Sequence, residues 1–257
     1  MSQNMYDAPS FFENYSKLPR SVHGLAGAAE WPRLREMLPE MGGLHVLDLG
    51  CGFGWFCRWA VEEGAENVLG VDLSENMLER ARAMTDPPAR EAIIYQRQDL
   101  ETFRIPLAER GTFDLVFSSL TLHYVVDLAR LLSEVRSAVD APGYFVFSVE
   151  HPIFTAPSRP GMATAADGSR FWPLDGYQSE GERVTDWLVE GVRKQHRTLA
   201  TYFNLLREAG FEIEAIDEWH PTPEELEAHP EAHQAWSDEN IRPMFLLIAA
   251  KSRAEAR

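Results

Sequence analysis

Cysteine is scarce: Cys51 and Cys57 are the only two in 257 residues. That is too few for a disulfide framework, and no Cys/His spacing around them resembles a zinc site, so no metal is expected. Basic residues are also in short supply, 24 Lys and Arg against 40 Asp and Glu, for a net charge of −16. Binding to nucleic acid or to an anionic membrane draws on Lys and Arg, so both partners are disfavoured and neutral or cationic ones remain. No apolar run is long enough to span a bilayer; FLLIAA, Phe245 to Ala250, is typical of a buried strand. The opening MSQNMYDAPS lacks the charged-then-apolar layout of a signal peptide, which makes the cytoplasm the expected compartment. Repeats and low-complexity tracts are absent too. What is present, 45% hydrophobic and 25% charged residues, is ordinary for a soluble α/β domain of this length.

The stretch VLDLGCGFGW, Val46 to Trp55, organises the rest. An apolar run closes on an acid, turns through glycines at alternate positions and opens into a helical pattern stopped by Gly64. NVLGVD is a second strand, and Ser74 caps a helix whose Met77, Leu78, Ala81 and Met84 share one face. Ala92 to Tyr95 and Thr112 to Ser119 read as strands three and four. Leu128, Leu131, Leu132, Val135 and Val139 give a helical period, and Gly143 to Val149 a fifth strand. Strands alternating with amphipathic helices imply a doubly wound, mostly parallel α/β sheet. Residues 1–43 read as a helical cap, 44–150 as a cofactor-binding core and 196–257 as the C-terminal part of the same single-domain sheet. Between them, 151–195 is rich in Gly, Pro and aromatics and has no regular period, which suggests a lid.

Two ligand classes compete for such a turn. A dinucleotide needs G-x-G-x-x-G, yet the third-glycine slot holds Trp55. Asp48, just ahead of the loop, would repel a pyrophosphate and suits a ligand carrying an ammonium and a sulfonium. VLDLGCGFGWF, Asp72 with SENM after it, and FDLVFSSLTLHYV together resemble the class I S-adenosylmethionine-dependent methyltransferases, over Leu44 to Val149. FFENYSKLPRS, EHPIFTAP, KQHRT and RPMFLL are similar to strings of a bacterial small-molecule subgroup. The resemblance implies a seven-stranded Rossmann-like sheet with an antiparallel last strand and S-adenosyl-L-methionine as cofactor. It implies that Asp48 faces the methionyl amino group and that Gly50, Gly52 and Gly54 let the ligand approach the backbone. Asp72 would accept the ribose hydroxyls and Asp99 the adenine amino group, with Leu73 and Leu100 beside them. The backbone around Ser118 to Leu120 would line the methionine side.

The methyl acceptor is less legible. A nucleophile must be placed against the methyl with water excluded, and a general base helps if it carries a proton. His151, alone or paired with Tyr15, and His123 are the candidates for that role; a turn anchor and a cavity wall are the plainer readings. Glu150 could hold a cationic acceptor or pair with Arg197. His196 and Arg197 could bind an acceptor carboxylate or form a structural pair, and Tyr177 and Trp187 of the insertion would face an apolar acceptor or join a small core of the insertion's own. No NPPY-like string follows the fourth strand, where SSLT stands, and the charge is acidic. A small, apolar or aromatic molecule is therefore the expected acceptor. A NAD(P)-dependent oxidoreductase on a similar sheet and a non-catalytic cofactor-binding module are the alternatives. Oligomeric state is not legible.

Overall fold

The structure, a computed structural model, describes residues 3–230 and 236–253. Its main sheet is built from β1 (His45–Leu49), β2 (Asn67–Asp72), β3 (Ile93–Arg97), β4 (Phe113–Ser119) and β5 (Val139–Glu150). A two-residue ribbon follows, β6 (Ala163–Thr164) with β7 (Arg170–Phe171), then a hairpin of β8 (Gly181–Trp187) and β9 (Val189–His196). The chain returns to the main sheet as β10 (Phe211–Glu218) and β11 (Phe245–Ser252). The seven-stranded order is β10-β11-β5-β4-β1-β2-β3. β11 runs antiparallel to both of its neighbours, while β1 to β5 pair in parallel.

Both faces are covered, as a parallel sheet requires. On one face the helix Leu128–Ala138 buries Leu131, Leu132 and Val135 beside Phe145, Phe147 and Phe211. Each such side chain contributes roughly 1.5–3 kcal/mol on leaving water. On the other face the helix Trp55–Glu62 stacks Phe56 on Phe117 at a centroid distance of 3.6 Å. Two boundaries differ from the sequence reading. Val139 leaves the helix to open β5, opposite Phe113, and the third strand runs to Arg97 because the partner β2 extends to Asp72.

The N-terminal segment folds as short helices, Pro9–Tyr15, Pro19–Val22 and Trp31–Glu36. It is fixed at two places. Asp7 accepts hydrogen bonds from the Ser74 hydroxyl (2.5 Å) and the Asn76 backbone N–H (3.2 Å), just past β2. Gln3 donates to the Gly191 carbonyl and accepts from Arg193 N–H, both at 2.9 Å, so the hairpin and the N-terminal segment clasp each other. The expected irregular lid thus ends in an ordered hairpin, turned at Leu188 with φ +61°. No helix among the described residues is long and apolar enough to cross a membrane.

Candidate active site

The carboxyl ends of β1, β2, β4 and β5 open into a cavity of about 1490 Å³, roofed by the N-terminal segment and the hairpin. The glycine loop forms its floor. Gly50 and Cys51 both donate to the Val71 carbonyl, at 2.8 and 3.0 Å, which bends the loop over β2. Gly50 and Gly52 have φ of +80° and +52°, a region side chains avoid. A Cβ on Gly52 would meet nothing within 4 Å, whereas one on Gly54 would lie 2.3 Å from the Tyr95 hydroxyl. Gly52 therefore leaves room for a ligand, and Gly54, outside the cavity wall, leaves room for Tyr95.

Two acids flank the loop. Asp48 is buried at 2% exposure and is bonded by the Cys57 thiol at 3.2 Å; burial lifts its carboxyl to about 7. Asp72 accepts from Gly52 N–H and Ser74 N–H, both at 2.9 Å, and burial lifts it to about 6 against those bonds. Leu73, Asp99 and Leu100 share the same wall. Ser118 itself does not, its hydroxyl donating to the Leu49 carbonyl at 2.8 Å inside the sheet, while Ser119 and Leu120 of the same stretch line the cavity together with Thr121.

Of the acceptor-side residues, Tyr15, His123, Glu150 and Trp187 reach the wall. His123 Nδ1 accepts from Glu150 N–H at 3.3 Å, and burial, helped by Lys194 and Arg197, holds its pKa well below the usual value. The ring is neutral with its proton on Nε2, so it offers a donor where a base would need a lone pair. Tyr6, which the sequence reading missed, sets its hydroxyl 3.4 Å from that of Tyr124 and packs edge-on against Tyr15.

Other residues correct the sequence reading. His151 is buried away from the wall, with Nε2 at 2.7 Å from Glu218 and Nδ1 accepting from Ile153 N–H at 3.0 Å. It anchors the turn before Pro152 and has no contact with Tyr15. Glu150 pairs with Lys194 at 2.5 Å rather than with Arg197, whose guanidinium donates to the Val125 and Val126 carbonyls. Tyr177 and His196 are staples: the Tyr177 hydroxyl accepts from Leu199 N–H at 3.2 Å, and its carbonyl meets His196 Nε2 at 2.8 Å. His151→Ala is expected to lower stability by about 1–2 kcal/mol through the lost cap and hydrogen bond, while ligand affinity in the cavity holds. Thermal unfolding together with calorimetry checks this.

The Methyltransferase domain family matches residues 47–147, the stretch carrying the loop and both acids. An S-adenosylmethionine-dependent methyltransferase from Mesorhizobium loti, of known structure, is 54% identical, with 89% of this chain and 100% of that one covered and a TM-score of 0.82. An uncharacterised Haemophilus influenzae protein is 32% identical over 250 residues, with 96% of each chain covered. The malonyl-[acyl-carrier protein] O-methyltransferase of Pectobacterium atrosepticum is 30% identical over 171 residues, 64% of this chain and 58% of that protein. With the loop, the acids and the sheet order in view, the chain belongs to the class I S-adenosylmethionine-dependent methyltransferases. It is an enzyme with S-adenosylmethionine as its methyl donor, which removes the oxidoreductase and non-catalytic readings. The residues present fit that donor. Asp48 is a buried carboxylate bonded by the Cys57 thiol, and Gly52 keeps space that a Cβ would fill.

Proposed function

We propose that this methyltransferase acts on a small apolar or aromatic molecule held between the glycine loop and a wall of rings. One observation carries the reading. The cavity, at about 1490 Å³, exceeds the roughly 300–1,000 Å³ of a single-ligand pocket, and Tyr6, Tyr15, Tyr124, Trp187 and Trp219 line it. Asp48 would hold the donor's ammonium, Asp72 its ribose hydroxyls and Asp99 its adenine amino group, with Gly50 and Gly52 against the methionyl chain. When bound, the donor supplies an electrophilic methyl on a sulfonium. The chain's own part is placement and exclusion of water. Burial keeps the phenol protons of Tyr6 and Tyr124 in place, and His123 presents an N–H, so the wall holds and orients an acceptor without a strong base among these three.

A panel of small aromatic and aliphatic acids, amines and phenols, with a carrier-bound malonyl group as comparator, tests the class by release of S-adenosylhomocysteine. Turnover of the conjugate with none of the free molecules would overturn the small-molecule reading.

The raised acids add a pH dependence. In the unfolded chain both carboxyls ionise near 4, so between there and their folded values the native state holds the extra protons. The stability they contribute is full below about 4 and is lost as pH rises through about 6 for Asp72 and 7 for Asp48. The ligand's ammonium favours the ionised Asp48, so S-adenosylhomocysteine affinity should rise roughly fivefold from pH 6 to pH 7 and level off above pH 8. Calorimetry in buffers of different ionisation enthalpy reads the released proton. A flat profile would remove Asp48 from the ammonium.

A further inference from the structure

The cavity continues past the glycine loop to the edge where β10 ends and β11 begins. Trp219 follows β10 directly; its backbone N–H bonds the Phe245 carbonyl at 3.1 Å, and its ring meets those of Trp236 and Phe245 at 5.8 and 6.0 Å. Arg242 completes this end, its guanidinium 4.6 Å from the Phe154 ring centroid and 5.1 Å from that of Trp172. Both walling side chains are deeply buried, Trp219 at 2% and Arg242 at 7% exposure.

The hydrogen-bonding capacity left at this end is one-sided. Its acids are engaged: Glu30 by Arg20 through two bonds of 3.1 Å, Asp238 by Arg170 at 2.7 Å, and Glu225 by Thr222 N–H at 2.7 Å. Glu239 accepts from Arg242 at 2.8 Å and from Met244 N–H at 2.6 Å. Two donors, by contrast, are buried with no partner among the described residues: the indole N–H of Trp219 and Nε–H of Arg242. A buried donor left unmade costs about 1–3 kcal/mol, so such pairs in a ligand cavity ask for an acceptor from the ligand.

We propose that Trp219 and Arg242 form a subsite for a carboxylate borne by the methyl acceptor. The inference rests on the small-molecule reading above and narrows it to aromatic or apolar acids. An anion suits the pair better than a neutral carbonyl, because charge-assisted bonds are roughly twice as strong as neutral ones. Burial also lifts the Glu239 carboxyl to about 7, so near neutrality it only partly cancels the Arg242 charge. The rings stacked on the guanidinium fix its plane, which sets the direction from which a carboxylate is accepted.

The test uses protein loaded with S-adenosylhomocysteine, so that turnover is not the readout. Calorimetry compares phenylacetate with phenylacetamide, and indole-3-acetate with its amide. The acids should bind at least about tenfold more tightly than the amides. Trp219→Phe, which keeps the shape and loses the donor, should weaken acid binding about fivefold. Arg242→Lys should weaken it about tenfold or more, and both variants should keep S-adenosylhomocysteine affinity within about twofold. Should Arg242→Lys fail to fold, Trp219→Phe decides alone. If acids and amides bind equally, or the folded variants bind acids like the wild type, the subsite falls and the small-molecule reading stands. If no member of either pair binds, the subsite for aromatic acids falls. The acceptor panel then decides the broader reading separately.

Discussion

Gly50→Ala is expected to destabilise the protein by about 2–4 kcal/mol, from left-handed backbone strain plus overpacking. The backbone at Gly50 has φ +80°, held there because its N–H is committed to the Val71 carbonyl at 2.8 Å. The added Cβ would sit 2.2 Å from Oγ1 and 2.4 Å from Cγ2 of Thr121. One of three things must move: the loop, the turn after β4, or the Thr121 side chain, whose hydroxyl is bonded to the Ser119 carbonyl at 3.1 Å. Each lies on the cavity wall, so cofactor affinity should fall with stability. Denaturant unfolding measures the loss, and a double-mutant cycle with Thr121→Gly separates its parts. Removing the threonine side chain should restore the steric share and leave about 1–2 kcal/mol of backbone strain. Wild-type stability for Gly50→Ala alone would refute this account of the loop.

Asp72→Ala should weaken S-adenosylhomocysteine binding by about 1.5–3 kcal/mol, the range for hydrogen bonds to a charged group. Asp72 acts twice. Its oxygens take the N–H groups of Gly52 and Ser74, so it shapes the loop before any ligand arrives. Its remaining lone pairs are what a ribose diol would use. Asp72→Asn separates the two functions only partly, since an amide nitrogen must then face a hydroxyl or one of those N–H donors. The decisive measurement is calorimetry on the alanine variant, with its unfolding temperature recorded alongside. Unchanged affinity in a folded Asp72→Ala would falsify the ribose role.

The parts of the fold that could be read from the chain are those whose signal is local. VLDLGCGFGW specifies a buried run, left-handed turn positions and a helix start within ten residues, and the strand His45–Leu49 and helix Trp55–Glu62 follow. The hairpin Gly181–His196 was not legible because its alternation is blurred. Val184 stands 62% exposed on the strand, and Gly191 interrupts the other side. Its order comes from partners far away in sequence, Gln3 and Asn14. The same holds for site residues. His151 looked placed for catalysis because it ends β5 at the ligand edge, but Glu218, brought alongside by β10, claims its ring. Gly54 looked like a ligand contact, and a tyrosine 41 positions later explains it. Tyr6 carries no pattern at all, and only the docking of Asp7 on Ser74 puts it beside Tyr124.

The insertion of antiparallel β11 between β5 and β10 has a consequence for the cavity. It brings residues late in the chain, Trp219, Arg242 and Phe245 among them, to the far wall of a cavity whose floor comes from the stretch around Val46 to Leu100. The two ends of one chamber are thus written in separate passages of the gene. The family match spans 47–147 and covers the first passage but not the second. A substitution in one passage can thus reshape one end of the chamber while the residues that build the other end stay in place.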